Sequence, residues 1–79
     1  MGQPVPRTLD ARGLRCPLPV LRATKLIAGM AAGEELVVTA TDPGTMADMR
    51  GWAKLDPRVE LVAQEERPDG EYLHTLRRR

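Results

Sequence analysis

The chain has 79 residues, room for one small domain with a single two-layer core, since chains of this size bury only about 60% of the surface they expose unfolded. Hydrophobic residues at 42% and charged residues at 29% exclude disorder, and twelve Lys and Arg against eleven Asp and Glu leave a net charge of +1 that singles out no class of partner. One cysteine excludes an internal disulfide framework, and with one histidine it excludes a zinc site built from those residues, so no metal or other cofactor is expected. No run of about 18 apolar residues is present to span a membrane. Residues 1–6 lack the apolar stretch of a secretory signal, so the cytoplasm is the expected compartment.

The prolines fall between elements or at their edges. Pro4 and Pro6 mark 1–7 as a flexible arm ahead of a single domain over 8–79. Residues 8–11 suit a short edge strand. Pro17 and Pro19 open a helix that runs to about 31, with Gly33 as its stop signal. Helical spacing gathers Val20, Leu21, Thr24, Ile27, Ala28 and Ala31 on one face and Arg22, Lys25 and Gly29 on the other, with Leu26 off the stripe and Met30 on its shoulder. A β-branched run over 35–41 suits an inner strand, and Asp42-Pro43-Gly44 ends it. Thr45 then caps a second helix with Asp48 three residues on, a short-armed capping box; Met46, Met49 and Ala53 align along it, Trp52 lies on its flank, and Pro57 closes it. Residues 59–64 alternate Val59, Leu61 and Ala63 against Glu60, Val62 and Gln64, as a strand does. Arg67-Pro68-Asp69-Gly70 is a turn between neighbouring strands, and 71–76 forms the last strand with Tyr72, His74 and Leu76 on one face.

The order is β-α-β-α-β-β. Right-handed crossovers put both helices on one side of one sheet, and the closing hairpin makes that sheet mixed. The expected fold is therefore an α/β (α+β) two-layer sandwich with a mixed four-stranded sheet. Its other sheet face is open to solvent or a partner, leaving a monomer or a weak dimer as the expected states.

Chemistry concentrates in Cys16-Pro17-Leu18-Pro19. Pro17 suits the first helical position, which puts Cys16 at the N-cap, facing the amides of the first turn. Pro19 has no N–H, so Leu18 N–H is the nearest donor for the sulfur. The helix dipole and the neighbouring Arg12 and Arg15 act in the same direction, and together they favour an anionic sulfur. A lone cysteine is commonly an inert buried hydrophobe. This one instead precedes a proline-opened helix in an arginine-rich run.

At these residues the chain resembles the TusA/SirA family of small sulfur carriers, from about Leu9 to Leu76. Residues 9–19 are similar to that family's first strand and Cys-Pro-x-Pro signature. Asp42-Pro43-Gly44-Thr45, Asp48 and Gly51-Trp52 resemble its second motif, and Glu60-Leu61 with the hairpin resemble its ending. The resemblance implies a fold like the C-terminal domain of translation initiation factor three. It implies that Cys16 accepts a sulfane sulfur as a persulfide and relays it, with Pro17 and Pro19 shaping the helix start and Arg12, Arg15 and Asp42 as partner or anion contacts. The implied partners are a cysteine desulfurase or rhodanese-like donor and a downstream acceptor protein in tRNA thiolation, molybdenum cofactor assembly or sulfur oxidation. Leu18 stands where many carriers have Glu, Arg50 where Pro commonly precedes the Gly, and Arg58-Val59 in place of a Gly-His pair. These differences bear on pathway more than on sulfur chemistry.

Other residues carry plainer readings. Arg77-Arg78-Arg79 reads as a solvated basic end, and with Trp52 and Tyr72 as the only aromatics there is little stacking surface, which argues against direct nucleic-acid binding. His74 reads as a packed or surface residue, Met46 and Met49 as core, and Asp42 first as a turn residue. Two other functions compete with the carrier: a regulatory interaction module whose cysteine is incidental, and a thiol redox sensor.

Overall fold

The computed structural model describes residues 5–79. Six elements follow in order: β1 (Arg7–Ala11), α1 (Leu18–Ala28), β2 (Glu35–Ala40), α2 (Thr45–Leu55), β3 (Val59–Glu66) and β4 (Tyr72–Arg78). The expected order and the mixed four-stranded sheet are both present, with strands arranged β1-β2-β4-β3. β1 and β2 pair in parallel, and β4 runs antiparallel to β2 on one side and β3 on the other. Both helices pack on the same sheet. Residues 1–4 of the expected arm lie outside the described residues, and Arg7 already pairs with Leu36, so the strand begins one residue before the expected 8.

The core is small: Ala11, Leu36, Val38, Ala40, Val59 and Leu76 from the sheet meet Ala23, Ile27, Met30 and Met49. On α1 the buried line is Pro19, Ala23 and Ile27, continuing to Met30. The expected stripe is thus rotated: Ile27 belongs to it, but Leu21 is 52% exposed and Ala28 and Ala31 face solvent. Ala23 explains the rotation, because a small side chain lets the helix approach the sheet closely where Leu21 could not. The helix stops at Ala28 with Gly29 as its cap, three residues short of 31, and Gly33 instead takes a positive φ of 90° in the turn into β2.

Two further departures matter for the site. A β-bulge between Leu61 and Ala63 inserts Val62 opposite no partner and reverses the alternation that follows. Gln64, not Ala63, therefore reaches the helix layer, where its Nε2 donates to the Met46 carbonyl (2.9 Å). β4 also continues two residues past 76. Arg77 pairs there with Glu35 (2.8 Å) and Glu60 (3.3 Å), and the Arg79 amide bonds to the Arg58 carbonyl, so the basic end is strand rather than a free tail.

Candidate functional site

Parallel pairing of β1 and β2 ends in register at Ala11 and Ala40, so the loops leaving both strands emerge side by side. That carboxyl-end edge is where parallel α/β units hold their ligands. The first loop carries Cys16, which is exposed, and the second carries Asp42. They are tied together: the Cys16 amide donates to Asp42 Oδ2 (2.8 Å), Asp42 Oδ1 accepts the Gly44 amide (2.9 Å), and the Gly13 amide donates to Thr41 Oγ1 (2.9 Å). Gly44 comes close enough that a Cβ there would sit 3.6 Å from the Cys16 Cβ and 3.2 Å from Asp42 Oδ1. A side chain there would crowd the Asp42 carboxylate that holds the Cys16 amide.

The helix start differs from the sequence expectation by one residue. Pro17 is the N-cap of α1, so Cys16 precedes it, joined by a cis peptide bond, and Pro19 occupies the second helical position, fully buried. The Leu18 N–H is not available to sulfur, since it bonds to the Arg15 carbonyl (2.8 Å). The sulfur instead faces α2: the Cys16 Sγ–H donates to Asp48 Oδ2. Its thiol is consequently pushed above its ordinary value, first by that hydrogen bond, then by desolvation and by the negative charges of Asp48 and Asp42. The expected anionic sulfur is overturned. Neighbouring carboxylates outweigh the helix end and the arginines.

Arg12 is not turned to the sulfur either. It forms a fork on Asp10 (2.9 and 3.0 Å) and reaches Glu71 at 3.5 Å. Arg15 is exposed, and its charge, after the Cys16 and Gly44 amides and against partial desolvation, helps hold the Asp42 carboxyl below the usual carboxylate range. Asp42 is therefore both the expected turn residue and the clamp on the cysteine loop.

The sequence makes Thr45 the cap of α2, with Asp48 as its reciprocal partner. The N-cap of α2 is instead Gly44, which has no side chain, and the expected cap Thr45 stands at the first helical position with its Oγ1–H on the Asp42 carbonyl (2.8 Å). Thr45 also meets His74 Nε2 at 3.0 Å, and His74 Nδ1 meets Gln64 Nε2 at 3.1 Å. Gln64 donates at Nε2, so Nδ1 accepts and the Nε2–H points to Thr45. Burial pushes His74 down to about 4, and it stays neutral at physiological pH. A buried chain thus runs from β3 through β4 and α2 to the loop that holds Cys16. Neither His74 nor Gln64 carried a sequence signal for this, whereas the Thr45–Asp48 spacing did but fits a cap equally well.

Between α1 and β1, Leu9, Leu18, Leu21 and Leu26 line an open groove of about 820 Å³ edged by Arg22 and Lys25. Among the described residues no cluster of His, Cys, Asp and Glu is arranged to hold a metal, and no helix is long and apolar enough to cross a membrane.

Comparison with known proteins converges on one family. Residues 7–78 match the family described as Sulfurtransferase TusA. The sulfur carrier protein TusA of Allochromatium vinosum is 47% identical over 58 residues, covering 73% of this chain and 76% of that protein. A Halobacterium salinarum protein named as a candidate sulfur carrier is 46% identical over 74 residues, covering 94% and 90%. The crystal structure of a SirA-like protein from Desulfitobacterium hafniense superimposes with a TM-score of 0.73 at 28% identity, over 89% of this chain and 93% of that one. With a family match from the first strand to the last and a free cysteine at the edge of the sheet, the chain belongs to the TusA family of sulfur carriers.

Proposed function

We propose that this chain accepts a sulfane sulfur on Cys16 as a persulfide and hands it to a partner protein, as a stoichiometric carrier rather than a turnover enzyme. The observation that carries this reading is the exposed Cys16 thiol, held by its own amide to Asp42 and hydrogen-bonded to Asp48. With no second cysteine, a loaded sulfur cannot be expelled by an internal disulfide. It leaves only by attack of another molecule's thiolate. The donor is a cysteine desulfurase or a rhodanese-like protein, and the acceptor belongs to tRNA thiolation, molybdenum cofactor assembly or sulfur oxidation. The compartment is the cytoplasm, where a free thiol stays reduced. A peroxide sensor needs a thiolate at neutral pH, and the raised Cys16 thiol argues against one.

The test is the state of Cys16 in its own cells. Purified without reductant, alkylated and digested, the Cys16 peptide should include a fraction carrying one extra sulfur, removed by reductant. Cys16→Ser should abolish that fraction and the biological activity together. A Cys16→Ser protein that keeps its activity would replace the carrier with an interaction module.

A further inference from the structure

Sulfur transfer to a thiol needs somewhere for the thiol proton to go. The Sγ–H of Cys16 is on the Asp48 carboxylate, and that hydrogen bond with the nearby negative charges pushes the thiol above its ordinary value, which disfavours a preformed thiolate. Asp42 is a poor acceptor: each of its oxygens already takes a backbone N–H, Oδ2 from Cys16 and Oδ1 from Gly44. Arg12 is committed to Asp10 and Glu71. Asp48, in the first turn of α2, has its Oδ2 on the Cys16 Sγ–H and forms no ion pair among the described residues.

We propose that Asp48 is a catalytic residue of the transfer, taking the proton of the attacking thiol and passing it to the sulfur that leaves, in loading and in delivery alike; this rests on the carrier reading above. In loading, Cys16 Sγ attacks the outer sulfur of a donor persulfide, R–S–SH. A new S–S bond forms, the thiol proton passes to Asp48, and the donor S–S bond breaks with its electron pair on R–S. Asp48 then gives the proton to that leaving sulfur. The sum is Cys16–SH plus R–S–SH giving Cys16–S–SH plus R–SH, with no net oxidation. In delivery an acceptor thiol R′–SH passes its proton to Asp48 as its sulfur attacks the outer sulfur, the Cys16 S–S bond breaks with its electron pair on Cys16 Sγ, and Asp48 returns the proton to that Sγ, so that Cys16–S–SH plus R′–SH gives Cys16–SH plus R′–S–SH.

This role and a merely electrostatic one predict opposite signs for Asp48→Asn, a near-isosteric change. The probes are iodoacetamide, which reports thiolate at Cys16, and glutathione persulfide, a defined sulfane donor read by intact mass. Removing the carboxylate frees the thiolate, so alkylation at pH 7 should rise several-fold. Loading should nevertheless fall, by about a hundredfold or more, the lower end of the usual scale for a positioned proton acceptor. The residual loading should climb with pH as the thiol ionises, and Asp48→Glu, which keeps a carboxylate, should recover part of the rate and shows whether a loss reflects folding. Loading that rises in step with alkylation would overturn the proposal, since Asp48 would only suppress the thiolate, and so would loading that does not change. If wild-type protein takes no sulfur from glutathione persulfide while its thiol alkylates, the carrier reading fails first and the Asp48 role falls with it.

Discussion

Thr45 links two residues that have no obvious business together, a buried histidine and a loop aspartate. Its hydroxyl accepts from His74 Nε2–H and donates to the Asp42 carbonyl, and Asp42 in turn holds the Cys16 amide. Thr45→Val keeps the volume but leaves the buried His74 N–H without a partner, which costs about 1–3 kcal/mol. Urea unfolding should show that loss, and Thr45→Ser should largely restore stability. His74 also makes stability depend on pH. Its folded value of about 4 lies below the ordinary histidine value, so between the two the unfolded chain binds more protons and stability falls as pH drops through that window. The expected loss from neutral pH to about pH 4 is about 3 kcal/mol, and His74→Gln should flatten it. At this scale Cys16 was legible from its place before Pro17, because a proline-opened helix start is a local pattern. Its environment was not: Asp48 lies thirty-two residues along the chain, and only the pairing of β1 with β2 brings the two loops together.

At the scale of elements, the sequence read order and type well and facing less well. Every strand and helix stands where turn and helix-stop residues put it, within a few residues, because Asp42-Pro43-Gly44, Pro57 and Pro68-Asp69-Gly70 act through their own backbone preferences. Facing depends on what an element packs against. α1 carries more apolar side chains than the small core can cover, and the surplus, Leu18 and Leu21, lines the open groove along the helix. Stability should therefore separate two residues that periodicity places on one stripe. Leu21→Ala should change unfolding free energy by no more than about 0.5 kcal/mol. Ile27→Ala, inside the core, should cost about 2–5 kcal/mol, enough to leave so small a domain largely unfolded. The bulge at Val62 is the same lesson in the sheet: strict alternation hides Gln64 from the site, and one inserted residue delivers it.

Across the whole molecule a net charge of +1 conceals an uneven distribution. Carboxylates of the sheet and turns pair with arginines, as in Arg7–Glu34, Arg58–Asp56 and Arg77 with Glu35 and Glu60. α1 has no acidic residue, and its Arg22 and Lys25 pair with no carboxylate among the described residues. Along α1 the molecule thus offers an apolar groove with a basic rim, and a protein donor that docks there would present apolar side chains and carboxylates. Charge reversal of both residues, Arg22→Glu with Lys25→Glu, should slow loading by a protein donor about tenfold or more at low salt, since steering acts on encounter. Loading from glutathione persulfide should be little affected.

The central claim is that Cys16 takes up sulfur and gives it away. Intact-mass spectrometry without reductant, after incubation with a cysteine desulfurase and cysteine or a rhodanese and thiosulfate, tests it most directly. The account predicts a gain of one sulfur atom per chain, absent in Cys16→Ser and lost again when an excess of free thiol is added. A chain that stays at its unmodified mass with both donors, while its thiol still reacts with iodoacetamide, would contradict it.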